Sequence, residues 1–197
     1  MATEITQTGV KMLKEYIDRG VFGRDAKTSA EILKAYESND TKLISLFEKL
    51  GPSARHRVMN LDQLKRNIIY GSDSIELGEY NWLNPVKPVS IEVISLKTSS
   101  DNAHYNKLEI GKYPNGKWSY GYSFTFGSAG QSCGVSVWKD PYDNREQCFD
   151  AAIKYAEDSF KQHVGKDDHG NYNQTYINKV LAEIYKIKNA EIQLQLF

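Results

Sequence analysis

Apolar positions in the first 70 residues recur at helical spacing. Met12, Leu13, Tyr16 and Ile17 form one stripe, and Gly20 offers a stop. Thr28 with Glu31 reads as a capping box ahead of Ile32, Leu33 and Tyr36. Asn39 or Asp40 is placed to cap a third helix that buries Leu43, Leu46, Phe47 and Leu50. Gly51-Pro52 ends it, because glycine accepts the left-handed position and proline cannot continue the helix. Ser53 then opens a stretch with Val58, Leu61, Leu64 and Ile68 along it. Four short helices are therefore expected in residues 1–70.

From residue 71 the pattern changes. Gly71, Gly78, Pro85 and Pro88 punctuate a segment, 71–90, that also carries Tyr80 and Trp82. Its two large aromatics suit a packed connector better than a free linker. Ile91 to Leu96 is a short apolar run of strand type, and Lys97 to Ala103 is polar and turn-like. A hairpin follows: Tyr105–Lys112, the turn Tyr113-Pro114-Asn115-Gly116, then Trp118–Phe126. Asn-Gly tolerates positive φ, which such turns require.

Strand side chains alternate between faces. Trp118, Tyr120, Tyr122, Phe124 and Phe126 thus make an aromatic ladder, backed by Ser119, Gly121, Ser123 and Thr125. After Gly127–Gly130, a third hairpin strand is expected to point Cys133, Val135 and Val137 one way, and Ser136 and Trp138 the other. Asp143 with Glu146 reads as a capping box for a helix over 143–160, whose stripe is Phe149, Ala152, Ile153, Ala156 and Phe160. Residues 161–174 read as a loop. A last helix starts near Asn173 and carries Ile177, Val180, Leu181, Ile184 and Ile187. In the tail Ile192, Leu194 and Phe197 alternate, which fits an added strand or a partner-binding tail.

The expected fold class is α+β: N-terminal helices, then a three- or four-stranded antiparallel sheet covered by C-terminal helices. The regions are 1–70 (helical), 71–90 (packed connector) and 91–197 (sheet plus two helices). The first and last are either separate domains or one continuous domain.

Charge narrows the function classes. Lys plus Arg and Asp plus Glu are both 25, so the net charge is zero. A protein held to DNA through phosphates ordinarily carries basic excess. The best local patch is Arg55, Arg57, Lys65 and Arg66, joined as candidate nucleic-acid contacts by Lys117 near a strand end. The bland reading of such a run is a solvated helix face. The ladder has two readings as well: a stacking platform for single-stranded nucleic acid, or a core face under the helix that follows. Five exposed rings would be an unusually large apolar patch, which favours the second. The face of Ser119, Gly121, Ser123 and Thr125 then becomes the sheet-face interaction candidate, since small residues allow another chain close.

No enzyme motif stands out: there is no P-loop, no dinucleotide fingerprint and no HExxH. Cys133 could act as a nucleophile only with a base such as His163 or His169, oriented by Asp167 or Asp168. Its strand-like setting fits a small buried hydrophobe better. Two cysteines make neither a disulfide framework nor a zinc set. No metal or cofactor is expected. The N-terminal residues lack the apolar core of a signal peptide, and no run is long enough to span a membrane, so a cytoplasmic location is expected.

The stretch NGKWSYGYSFTF, its polar turn, VSVWKDPYDNREQ and the alanine-containing helix resemble a sheet-plus-helix module of accessory proteins of bacterial plasmids, phages and other mobile elements. The resemblance covers residues 108–160. It implies an accessory role, acting on nucleic acid or on a host protein. The resulting expectation is a non-enzymatic interaction protein whose partner is a host or phage protein, with a homodimer also compatible. Direct DNA or RNA binding is the alternative, and a cysteine-dependent hydrolase the third reading.

Overall fold

The structure is a computed structural model that describes residues 2–96, 106–166 and 170–194. The fold is α+β, with a four-stranded antiparallel sheet. The chain divides into two compact units, Met1–Val86 and Lys87–Phe197.

The first unit holds four helices: α1 (Ala2–Asp18), α2 (Gly23–Glu37), α3 (Thr41–Lys49) and α4 (Ala54–Ile69). Their core is Leu13, Ile32, Tyr36, Phe47, Leu50, Val58, Leu61 and Leu64. Helix α2 starts five residues before the Thr28–Glu31 box, which therefore caps nothing. Thr28 and Ser29 are instead buried inside it, and the Ser29 hydroxyl donates back to the Asp25 carbonyl at 2.7 Å. Asp40 caps α3 by accepting the Leu43 N–H at 3.0 Å. The buried face of α3 is Ile44 and Phe47, rotated from the expected stripe, so Leu43 is exposed. Ser53 caps α4 as expected.

Helix α4 buries amides as well as leucines. Asn60, Gln63 and Asn67 lie beside Val58, Leu61 and Leu64 in its buried set. The partners of the two asparagines explain this. Asn60 Nδ2 donates to the carbonyls of Leu50 (2.6 Å) and Asn81 (2.7 Å), and its oxygen accepts the Leu83 N–H at 2.9 Å. Two turns on, Asn67 Nδ2 donates to the Asn84 carbonyl at 2.8 Å, and its oxygen accepts the Val86 N–H at 2.9 Å. Residues 81–86 are thus held along α4 by side chains standing in for a neighbouring strand. A one-residue bridge, Leu77 with Leu83, folds this segment into a small hairpin, and Leu83 is buried.

In the second unit the strands are β1 (Ser90–Ser95), β2 (Lys107–Lys112), β3 (Trp118–Thr125) and β4 (Gly130–Cys133). They form an antiparallel meander in the order β1-β2-β3-β4. Register puts Ile110 beside Tyr120 and Leu108 beside Tyr122, so these pairs share the ladder face. Helix α5 (Arg145–Lys161) covers that face: Phe160 meets Phe124 and Phe126 at ring-centroid distances of 5.4 and 4.9 Å. The cap of α5 is Asn144, one residue later than the Asp143 box, and its oxygen accepts the Gln147 N–H at 2.8 Å.

Helix α6 (Gln174–Leu194) buries Ile177, Val180, Leu181 and Ile184 in the same core. It runs helical through Leu194, which excludes an added strand over those tail residues; Phe197 lies outside the described residues. Asn106, fully buried, ties the layers together. Its oxygen accepts the Thr125 N–H at 2.7 Å, and its amide donates to the Tyr176 hydroxyl. No helix among the described residues is long and apolar enough to cross a membrane.

Candidate functional site

Arg57 is a structural cation: its guanidinium donates to the Tyr36 hydroxyl at 2.8 Å and to the Gly51 carbonyl at 3.1 Å. Lys65 is ion-paired with Glu31, and the neighbouring Arg24 with Asp62 at 3.2 Å. Arg66 is half-buried in the last turn of α4, where a cation suits the carbonyl end of a helix. Lys117, in the other unit, is paired with Asp143. Arg55 is the exposed member. Its guanidinium lies 5.8 Å from the Trp82 ring centroid, and the His56 ring packs against the same indole at 4.6 Å between centroids, tilted by 40°. At least Arg57, Lys65 and Lys117 are thus already engaged by hydrogen bonds or ion pairs within the fold, which lowers what the patch could offer to phosphates.

The small-residue face of the sheet is partly covered by the chain itself. A Cβ on Gly121 would lie 2.5 Å from the Val135 nitrogen and 2.7 Å from the Gly134 carbonyl carbon. A Cβ on Gly111 would lie 2.5 Å from a Val135 methyl. The Ser119 hydroxyl donates to the Ser136 carbonyl at 3.0 Å. The third hairpin strand therefore stops at Cys133, and residues 134–136 cross over β3 instead of continuing beside it. This corrects the expectation that the face is open. Ser119 and Gly121 are buried under residues of their own chain, while Ser123 and Thr125 remain half-buried.

Among the described residues strand β1, at the end of the sheet, pairs with β2 alone. Register places Glu92 and Ile94 on the helix-covered face, beside Ile110 and Leu108. Ile91 and Val93 point the other way and are 50% and 58% exposed; Val89, one step before the strand, continues their line at 64%. The strand's one charge is drawn aside, because Glu92 accepts two hydrogen bonds from the Arg145 guanidinium, both 2.8 Å. Those bonds, with the charge of Arg145, hold the Glu92 carboxyl below its ordinary range despite partial burial. An edge strand of this kind lacks the free charge that normally guards against strand addition. The signal was in the sequence as Val89-x-Ile91-x-Val93, an apolar alternation that begins in the connector and continues into the run read as a strand.

Cys133 lies on β4 opposite Tyr122, its thiol donates to the next carbonyl, Gly134, at 3.5 Å, and it is close enough to Lys139, Tyr120 and Tyr122 to act on them electrostatically. His163 rests against Phe126 (4.3 Å) and Tyr172 (4.4 Å). Phe126 is four residues beyond Tyr122, about 13 Å along a strand, so the structure does not join His163 to Cys133 as nucleophile and base. His169, Asp167 and Asp168 lie outside the described residues. Among the described residues no three His, Cys, Asp or Glu side chains are grouped to hold a metal ion.

Lys139 stands at the centre of a cluster that no spacing in the sequence marks out. The Lys139 ammonium sits 3.6 Å from the Tyr120 ring centroid, 4.8 Å from Tyr122 and 5.8 Å from Tyr155. The Tyr155 and Tyr122 hydroxyls share a hydrogen bond of 3.0 Å. Burial pushes the Tyr120 hydroxyl up to about 12, and the bond to Tyr155 with burial raises Tyr122, so both phenols are neutral at physiological pH. Desolvation lowers Lys139.

Comparison with protein-family models, curated proteins and solved structures finds no match for this chain.

Proposed function

We propose that this chain is a protein-binding module that takes an extended segment of a different protein onto the β1 edge. The observation that carries this reading is the terminal strand with exposed Val89, Ile91 and Val93 and with its only carboxylate held aside by Arg145. Strand addition supplies main-chain hydrogen bonds, and alternate side chains supply selectivity. The occupant that fits is an uncharged strand with apolar residues at alternate positions, because β1 presents valine, isoleucine and serine outward. The resemblance to mobile-element accessory proteins points to a host or phage protein as its source.

Selection from a random peptide library tests this directly. Bound peptides should alternate apolar residues, and Ile91→Lys with Val93→Lys should weaken binding by at least about tenfold, as charge does at a strand edge. Both side chains are exposed, so thermal stability should stay unchanged. Peptides without alternation, or binding indifferent to the double substitution, would refute the reading. Sedimentation of the chain alone covers the other occupant: a dimer dissociated by the same substitutions would replace a foreign partner with a second copy.

The exposed Arg55, packed with His56 against Trp82, favours nucleic-acid binding as a second reading. It requires a salt-sensitive mobility shift that is lost on Arg55→Ala with Arg66→Ala. No shift at low salt removes it.

A further inference from the structure

Three tyrosine rings converge on the point occupied by the Lys139 ammonium. Tyr120 and Tyr122 are two residues apart on β3 and so stand side by side on one face. Tyr155 reaches them from α5, and its hydroxyl bond to Tyr122 fixes two of the rings against each other. Tyr142, antiparallel to Trp118 at the start of β3, flanks Tyr120 at 6.1 Å between centroids. Such a geometry attracts a cation through the negative faces of the rings, and recurs where quaternary ammonium groups are recognised.

The present occupant is attached by a tether. Lys139 follows Val135 and Val137, which anchor the crossing segment: Val135 lies against Gly111 and Gly121, and Val137 is buried. Lys139 itself is half-buried, with exposed Trp138 and Asp140 on either side. A lysine stem has four rotatable methylenes, so its ammonium can swing out while the backbone stays in place. A primary ammonium is strongly hydrated and loses much on entering the rings. A methylated ammonium has fewer N–H groups to desolvate and more apolar surface to bury.

We infer that the Tyr120–Tyr122–Tyr155 cage is a binding site for a quaternary ammonium group, with Lys139 as the tethered occupant that the ligand displaces. The group could be a small solute or the trimethylated lysine side chain of a protein; the recognising chemistry is the same. This site is distinct from the β1 edge and stands without it.

The test compares choline, its neutral isostere 3,3-dimethylbutan-1-ol, and a short peptide bearing trimethyllysine, each titrated calorimetrically against the full chain. Removing the tether in Lys139→Ala should tighten choline binding by about tenfold or more, since a tethered competitor acts at high effective concentration. The isostere should bind that variant about tenfold more weakly than choline, because it lacks the charge. Tyr122→Phe added to Lys139→Ala should keep binding, and Tyr122→Leu should abolish it, since phenylalanine retains the ring face. A peptide tighter than choline assigns the site to a modified protein, whereas choline equal to the peptide assigns it to a small solute. Equal binding of choline and isostere, or none by folded Lys139→Ala, overturns the proposal.

If Lys139→Ala does not fold, the unsubstituted protein decides. Choline should raise acetylation of Lys139 by acetic anhydride about threefold or more, read by peptide mass mapping, as the amine leaves its rings. The isostere should not. An unchanged rate with choline overturns the assignment.

Discussion

The side-chain oxygen of Asn60 accepts the backbone N–H of Leu83 at 2.9 Å, so a helix side chain does for this segment what a neighbouring strand would do. The same asparagine holds the carbonyls of Leu50 and Asn81, and is almost fully buried. Removing it leaves one donor and two acceptors without their partner. Asn60→Ala should cost about 3 kcal/mol, within the range for stranded buried polar groups. Urea denaturation measures it. A loss below about 0.5 kcal/mol would mean that water replaces the amide.

The two glycines under the crossing, Gly111 on β2 and Gly121 on β3, should respond differently from one another. At Gly111 an added Cβ meets the Val135 side chain, and at Gly121 it meets backbone atoms of residues 133–135. Gly111→Ala should destabilise by about 1–3 kcal/mol, and Val135→Ala should relieve part of that loss. Gly121→Ala should be at least as harmful, with no relief from Val135→Ala. Thermal melts of the five variants form the double-mutant cycles.

In the helical unit, a Cβ at Gly9 would lie 2.4 Å from the Tyr36 ring. That ring is fixed by burial and by Arg57, so it has little room to yield. Gly9→Ala should destabilise by about 1–3 kcal/mol even though alanine is the better helix former by about 1 kcal/mol. A stabilised Gly9→Ala would show that the ring moves aside.

The Glu92–Arg145 pair sets a pH signature. The folded carboxyl titrates below its unfolded value, so its contribution is present at neutral pH and fades as pH falls through the folded pKa. Both side chains are partly exposed, which limits the pair to about 1 kcal/mol or less. Arg145→Ala should therefore cost that much at pH 7 and less at pH 3, apart from the packing of Arg145 on Phe149. Urea midpoints at the two pH values, with Glu92→Gln as control, read the difference.

The two thiols should separate kinetically. Burial pushes the Cys148 thiol up to about 12, and its residue is fully buried. Cys133 is half-buried on an edge strand. In the native protein at pH 8 a thiol reagent should modify Cys133 first and Cys148 only at the rate of unfolding. Mass mapping of the labelled peptides checks this, and rapid labelling of Cys148 would contradict its burial.

Local periodicity was enough for the class of fold. The helices around Leu13, Val58, Phe149 and Ile177, the Asn115-Gly116 hairpin and the aromatic ladder follow from rules that act within about ten residues. Boundaries were less legible. Thr28–Glu31 has the spacing of a cap, yet α2 begins at Gly23 and Thr28 and Ser29 are buried inside it, on a helix whose Ile32, Ala35 and Tyr36 belong to the core. Ile68 lies ten residues from Val58, which carries it off the buried face, so it is exposed.

The candidate sites were the least legible. Arg57, Lys65 and Lys117 read as free cations because their partners, Tyr36, Glu31 and Asp143, stand 21, 34 and 26 positions away. The open face of Ser119 and Gly121 was lost when residues 134–136 left the sheet to cross them, a choice made by close packing of Val135 on two glycines. The Lys139 cage assembles one strand, one helix and one crossing loop, and no spacing rule joins them. The chain by itself therefore determines which segments are helices and strands, since those depend on neighbours in sequence. Which charges stay free, which face is covered and which edge is open depend on contacts between distant residues, and only the folded chain resolves them.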